Sequence, residues 1–483
     1  MSMPPRPRRL VLLSIPAALM ALFFGTGQAL ANVALTKVSS DPFTNSTSQH
    51  QTQVEPDTFS FGNTIVSAIQ TGRFFDGGSS DICFATSTNG GSSWTQGCLP
   101  GITTFQGGGA FNRVSDPAVA YDASHNVWMI SSLAITDTSG VLGKAVLTSR
   151  STDGGLTWAN PVTTASATGS ANLDKNWIGC DNTASSPFYG RCYTEFDDNG
   201  AGNRIHMATS TNGGTSWSNV TTSSTGLGGQ PVIRPNGTVL VPYESNNGQI
   251  RSFRSTTGGS TWNSSVLVAT VQSHTVAGSL RTSPLPSAEI DSAGTAYVVW
   301  QDCRFQSGCP ANDVVMSKST SETTWGSVTR VTSDGGDHFI PGIGVDRATS
   351  GSTAKLAVTY YRYPTANCTA ATCQLTVGYT SSTNGGSSWS APTQLAGPMT
   401  LSWLADTSQG RMVGDYISTS ISGGRAWPAF VVANAPTGST FDEAMYVPTG
   451  GLAITGGALS ATNATVAVTS GHQPSHVRPP RIR

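Results

Sequence analysis

Charge is what this 483-residue sequence has little of: Asp, Glu, Lys and Arg make up 11% of it, against about 25% in an average globular protein. That scarcity excludes a charge-rich disordered chain and a coiled coil, both of which need charged residues in bulk. The formal net charge is −1, so the basic surplus of a nucleic-acid binder is missing and no nucleic-acid partner is expected. Beyond the N-terminal region no apolar stretch approaches the roughly 20 residues of a membrane-spanning helix. Also absent are a P-loop, a dinucleotide-binding glycine fingerprint, a zinc-binding His-Glu helix and a nucleophile elbow, so no organic cofactor is expected. No C-x-x-C pair or clustered His set suggests a bound transition metal.

What is present is small and turn-forming. Glycine numbers 54 and tryptophan 11, with abundant Ser, Thr, Val and Ile, a composition that predicts an all-β protein with many turns. Arg6, Arg8 and Arg9 precede an apolar run from Leu10 to Phe24, and small residues follow to Ala29-Leu30-Ala31. A basic start, a short apolar run and an A-x-A site predict a secretory signal peptide over residues 1–31, hence a secreted protein, and a monomer is the expectation. Eight cysteines fall in close pairs along the sequence, Cys83 with Cys98, Cys180 with Cys192, Cys303 with Cys309 and Cys368 with Cys373. An even count in an exported chain favours disulfides; many connectivities are open, and local pairing is the expectation.

Length alone suggests about three domains, but an internal repeat replaces that estimate. One octapeptide recurs as Ser87-Thr-Asn-Gly-Gly-Ser-Ser-Trp94, Ser151-Thr-Asp-Gly-Gly-Leu-Thr-Trp158, Ser210-Thr-Asn-Gly-Gly-Thr-Ser-Trp217, Ser255-Thr-Thr-Gly-Gly-Ser-Thr-Trp262 and Ser382-Thr-Asn-Gly-Gly-Ser-Ser-Trp389, with a degenerate copy ending at Trp325. Its chemistry is that of a hairpin turn: Asn or Asp bonds neighbouring backbone, the glycines supply positive φ, and Trp packs inward. Nothing in it forms a nucleophile and base, so it is a fold element. Before each copy lies a pair of apolar-alternating strands, as in Asp116–Asp122 and Val127–Leu133.

This octapeptide is the Asp box, S-x-D-x-G-x-T-W, and the chain resembles the Asp-box β-propellers, of which sialidases are the best known. The resemblance implies a single propeller domain over residues 32–470, followed by a disordered basic tail over 471–483. Strand pairs beginning near Glu55, Asp116, Asp174, Gln230, Arg281, Phe339 and Arg411 predict seven four-stranded blades; six, the usual sialidase number, is the alternative. In a propeller the inner strands start, and the second strands end, on the ligand-binding face. That places Glu55, Asp116, Asp174, Lys175, Gln230, Arg281, Asp337, His338 and Arg411, with Arg73, Glu195, Tyr243, Glu244, Asp302, Arg304, Tyr361 and Arg362, around one mouth of the central channel.

Arg281, Arg304, Arg362 and Arg411 belong to consecutive units, and grouped arginines bind carboxylates through planar bidentate hydrogen bonds. The resemblance implies three arginines on the substrate carboxylate, a Tyr nucleophile with a Glu partner, and an Asp acid/base. Here the matching positions are Tyr416, within Gly414-Asp-Tyr-Ile-Ser418, with Glu443 or Glu244 as its partner, and Asp116. The F-R-I-P motif of sialidases is absent; the corresponding strand reads Gln53-Val-Glu-Pro-Asp57, acidic where an arginine is expected. The leading expectation is a glycoside hydrolase releasing a terminal acidic sugar from extracellular glycans. Its rivals are a non-catalytic glycan- or protein-binding propeller and a polysaccharide lyase using a base such as His338. A ring of Glu55, Asp116, Asp174 and Asp415 makes Ca²⁺ the one candidate ion.

Overall fold

The computed structural model describes Met1 and residues 33–138, 140–456 and 459–460. The expected signal peptide, apart from Met1, and the basic tail lie outside these residues. The described chain is almost wholly β; its helical segments are the short 3₁₀ turns Asn199–Ala201, Gly351–Thr353 and Leu401–Trp403. No described helix is long and apolar enough to cross a membrane.

The strands form successive antiparallel sheets whose first strands are Gln49–Phe61, Arg113–Asp122, Leu173–Cys180, Val232–Ile233, Ser287–Ile290, Asp337–Val345 and Ser418–Ser422. Each first strand packs against the first strand of the next sheet, and Ser418–Ser422 returns to Gln49–Phe61. The result is a closed ring around a central channel, consistent with a β-propeller. Side chains alternate across each strand and pack against both neighbouring sheets: Val66, Ile82 and Phe84 of one sheet meet Val119, Trp128 and Ile130 of the next. Leu35–Lys37 adds to Thr440–Pro448 and ties the N-terminal segment to the last sheet.

The repeated octapeptides adopt one conformation. The first Ser hydroxyl accepts the N–H of the second Gly at 2.8–3.0 Å: Gly91 to Ser87, Gly155 to Ser151, Gly214 to Ser210, Gly259 to Ser255 and Gly386 to Ser382. The third residue accepts the N–H four positions on, as Asp153 does from Thr157 at 3.0 Å. Both glycines of each copy have positive φ, the conformation that glycine adopts without a steric cost. All four local cysteine pairs are disulfide-bonded, which fits an oxidising, extracellular setting.

One irregularity of the first strands positions the site. The ladder skips a residue between Val54 and Asp57, between Ser115 and Ala118, between Asp174 and Trp177, and between Phe339 and Gly342. The first extra residue of each bulge is left-handed: Glu55 (φ 58°), Asp116 (51°), Lys175 (41°) and Ile340 (50°). A non-glycine residue held there costs roughly 1–3 kcal/mol, and such residues concentrate at functional sites. In three of the bulges Pro56, Pro117 and Pro341 come next; a residue without an N–H is tolerated in a sheet at a bulge.

Candidate active site

Three bulges bring charge to one end of the channel. Glu55, Asp116 and Lys175, from consecutive sheets, meet Arg73 from the end of Thr64–Arg73, Arg281 ahead of Ser287–Ile290, and Asp415-Tyr416 ahead of Ser418–Ser422. Glu55 is buried. It accepts the Asp415 N–H at 3.3 Å through Oε1 and the Gln70 amide through Oε2. Burial, then the Asp116 and Asp415 carboxylates, push its carboxyl up to about 8, with Lys175 and Arg281 opposing. Glu55 therefore holds its proton at neutral pH.

Asp415 has the opposite character. Arg281 grips both of its oxygens with one edge of the guanidinium, Nε to Oδ1 at 2.7 Å and Nη2 to Oδ2. Burial alone would raise it, but Arg281, Lys175 and Arg73 hold it below the usual carboxylate range. Burial likewise works against the Arg281 charge, and Asp415, Glu55 and Asp116 more than offset it. Arg73 donates to Gly78 O at 2.8 Å, and burial together with Arg281 brings it down to about 10. Asp116 accepts the Ser115 hydroxyl at 2.7 Å and lies 3.9 Å from Lys175 Nζ. Two carboxyl groups whose environments drive their proton affinities apart form the pattern of an acid and its ionised companion.

Tyr416 lies beneath this cluster. Its hydroxyl donates to Pro117 O at 3.0 Å, its ring meets Trp177 edge to face at 5.1 Å, and Lys175 Nζ lies 3.6 Å from the ring centroid. Burial, then Glu55, Asp116, Asp57 and Asp415, raise its phenol well above its ordinary value, the reverse of what a phenolate nucleophile needs.

The other predicted residues lie elsewhere. Glu443, expected as the partner of Tyr416, instead accepts the Ala405 N–H at 2.8 Å; burial raises its carboxyl, and Arg411 is the cation bearing on it. It anchors the hairpin Ala405–Met412, whose Arg411 carbonyl accepts the Arg281 N–H at 2.8 Å. The Arg411 guanidinium turns away to Leu404 O. Arg304 grips Asp302, two residues back, with 2.9 and 2.7 Å bonds, and Arg362 binds Gly335 O and Asp334. Glu244 is buried in Val239–Ser245. Of the expected arginines, only Arg281 joins the cluster, because each of the others has a nearer local acceptor. Glu55, Asp116 and Asp415 of the expected acidic ring share this cluster, and among the described residues no group of three or more His, Cys, Asp or Glu side chains is placed to hold a metal ion. The sequence places Glu55 at this mouth without assigning it a catalytic role; the X-Pro pairs Glu55-Pro56, Asp116-Pro117 and Ile340-Pro341 are the signal that marks the bulges.

Beyond Trp177 and Tyr416 the channel widens into a cavity of about 630 Å³ lined by Asp57, Gln230, Glu289 and Arg347 among others. There Glu289 is paired with Arg347 at 3.0 Å, and Asp291 accepts the Tyr297 hydroxyl at 3.0 Å.

No family model matches the sequence, and no curated protein matches it. Among solved structures the fold is similar to that of the Hadza microbial sialidase Hz136, at 16% identity and a TM-score of 0.46, over 65% of this chain. This chain spans 64% of the length of Hz136. It is also similar to a protein of unknown function from Dyadobacter fermentans, at 15% identity and a TM-score of 0.46, over 73% of this chain and 98% of that one. A third, the α-L-arabinofuranosidase Arb93A from Fusarium graminearum, has 12% identity and a TM-score of 0.45 over the same shares.

Proposed function

We propose that this chain is a secreted, monomeric seven-bladed propeller that hydrolyses glycosidic bonds of extracellular glycans at the Glu55 mouth of its channel. The observation that carries this reading is the pairing of a proton-holding Glu55 with an ionised, Arg281-held Asp415 in one buried cluster. Glycoside hydrolysis needs an acid to protonate the leaving oxygen and a carboxylate to answer the positive charge developing on the sugar. Glu55 is assigned the acid role and Asp415 the carboxylate role, with Asp116 the third carboxyl of the site. Tyr416 is assigned a supporting role, carrying Lys175 on its ring.

The test is kinetic. General-acid catalysis contributes about 10²–10⁴-fold, and it matters most for a poor leaving group. Glu55→Gln should slow cleavage of an alkyl or 4-methoxyphenyl glycoside at least about 100-fold, while a 2,4-dinitrophenyl glycoside loses much less. Equal losses on both substrates would remove Glu55 from the acid role.

A further inference from the structure

Every cation of the cluster already faces carboxyl groups. Arg281 gives the Nε–Nη2 edge of its guanidinium to Asp415, and Arg73, which donates to Gly78 O and Gln70, faces Glu55, Asp415 and Asp116. Lys175 is the counter-charge to Asp116 and to Glu55, Asp57 and Glu195. A ligand carboxylate taking the Nε–Nη2 edge of Arg281 must displace Asp415 and leave it buried beside Glu55 and Asp116 without its partner, a costly arrangement, and one approaching Nη1 sets a second negative charge against Asp415. The arginines that might have supplied a second anion clamp are bound to Asp302, Asp334 and Leu404 O.

The unfilled hydrogen-bonding capacity points the other way. Lys175 Nζ and Arg73 Nε are buried donors without an acceptor. An uncharged oxygen satisfies such donors without setting a second negative charge beside the ionised Asp415.

We infer that the sugar taken at this mouth is neutral, its hydroxyl and ring oxygens accepting from the cluster, and that sugars bearing a carboxylate are excluded. This rests on the glycosidase reading for turnover, but not for binding. It replaces the acidic sugar expected from the sequence.

The experiment has two arms. In the first, 4-nitrophenyl glycosides of neutral pentoses and hexoses are compared with the matching uronides and a sialoside. Neutral substrates should be cleaved at least 100-fold faster in kcat/KM; equal or faster cleavage of an anionic substrate overturns the inference and leaves the hydrolase reading standing. In the second, saturation-transfer NMR follows binding of neutral monosaccharides, glucuronate and N-acetylneuraminate to wild type, Glu55→Gln and Asp415→Asn. Wild type and Glu55→Gln should bind neutral sugars only, and Asp415→Asn, which frees Arg281, should gain the anions. Anion binding by wild type, or no binding of any sugar, overturns the inference. Neutral binding without turnover of any glycoside sustains it and removes the hydrolase reading alone.

Discussion

The Lys175 ammonium lies 3.6 Å from the centroid of the Tyr416 ring. A desolvated cation–π contact of this kind contributes about 2 kcal/mol. It fixes a positive charge 3.9 Å from Asp116 Oδ2 and among the groups that lower the Glu55 proton affinity. The rings of Tyr416 and Trp177 thereby carry the site's counter-charge.

Lys175→Met should move the alkaline limb of the pH–activity profile upward by about one unit, because Glu55 loses a cation that favours its ionised form. The profile of kcat/KM against pH checks this. An unmoved limb would mean that another group sets it.

Stability should fall as pH rises. Glu55 is raised from 4.5 to about 8 and Asp57 from 3.8 to about 7, both chiefly by burial. The folded protein therefore holds more protons than the unfolded chain through that window, so stability is fully present at its acid end and is lost toward its alkaline end. A decrease in Tm of about 5 °C or more between pH 5 and pH 8.5 is expected. Calorimetry of the Glu55→Gln/Asp57→Asn double variant should show a flatter dependence.

Tyr416→Phe distinguishes a structural phenol from a nucleophile. Removing the hydroxyl breaks its bond to Pro117 O and leaves the ring beneath Lys175. The expected cost is about 1 kcal/mol of stability, with kcat retained within a few-fold. A loss of several orders of magnitude in kcat would restore the phenol to the chemistry.

The sequence reveals addresses better than partnerships. Inner-strand starts, read from strand alternation and the octapeptide spacing, bring Glu55, Asp116, Lys175 and Arg281 to one mouth, because the strand direction and the repeat fix where each begins. The cysteine pairs are equally legible, since Cys83 and Cys98 face each other directly across two strands. Partner choice is different. Arg304, Arg362 and Arg411 have side chains long enough to reach several acceptors, and the nearest one, such as Asp302 for Arg304, is set by loop geometry that composition does not encode. The left-handed bulge that presents Glu55 is also invisible to a period-2 reading, which assumes an unbroken ladder.

The octapeptide yields a sharper prediction than its composition suggests, because its two glycines do different work. Gly90 and Gly91 both have positive φ, at 67° and 82°. A Cβ on Gly90 meets nothing within 4 Å, whereas one on Gly91 would stand 2.0 Å from Trp427 Cη2. Trp427 belongs to the last sheet and Gly91 to the first, so the turn is packed across the point where the ring closes. Gly90→Ala should therefore cost only the left-handed penalty, about 1 kcal/mol, while Gly91→Ala adds displacement of the indole, for a total of about 2–4 kcal/mol. Chemical denaturation of the two variants checks this difference. Equal losses would mean that the Trp427 contact contributes nothing to closing the ring.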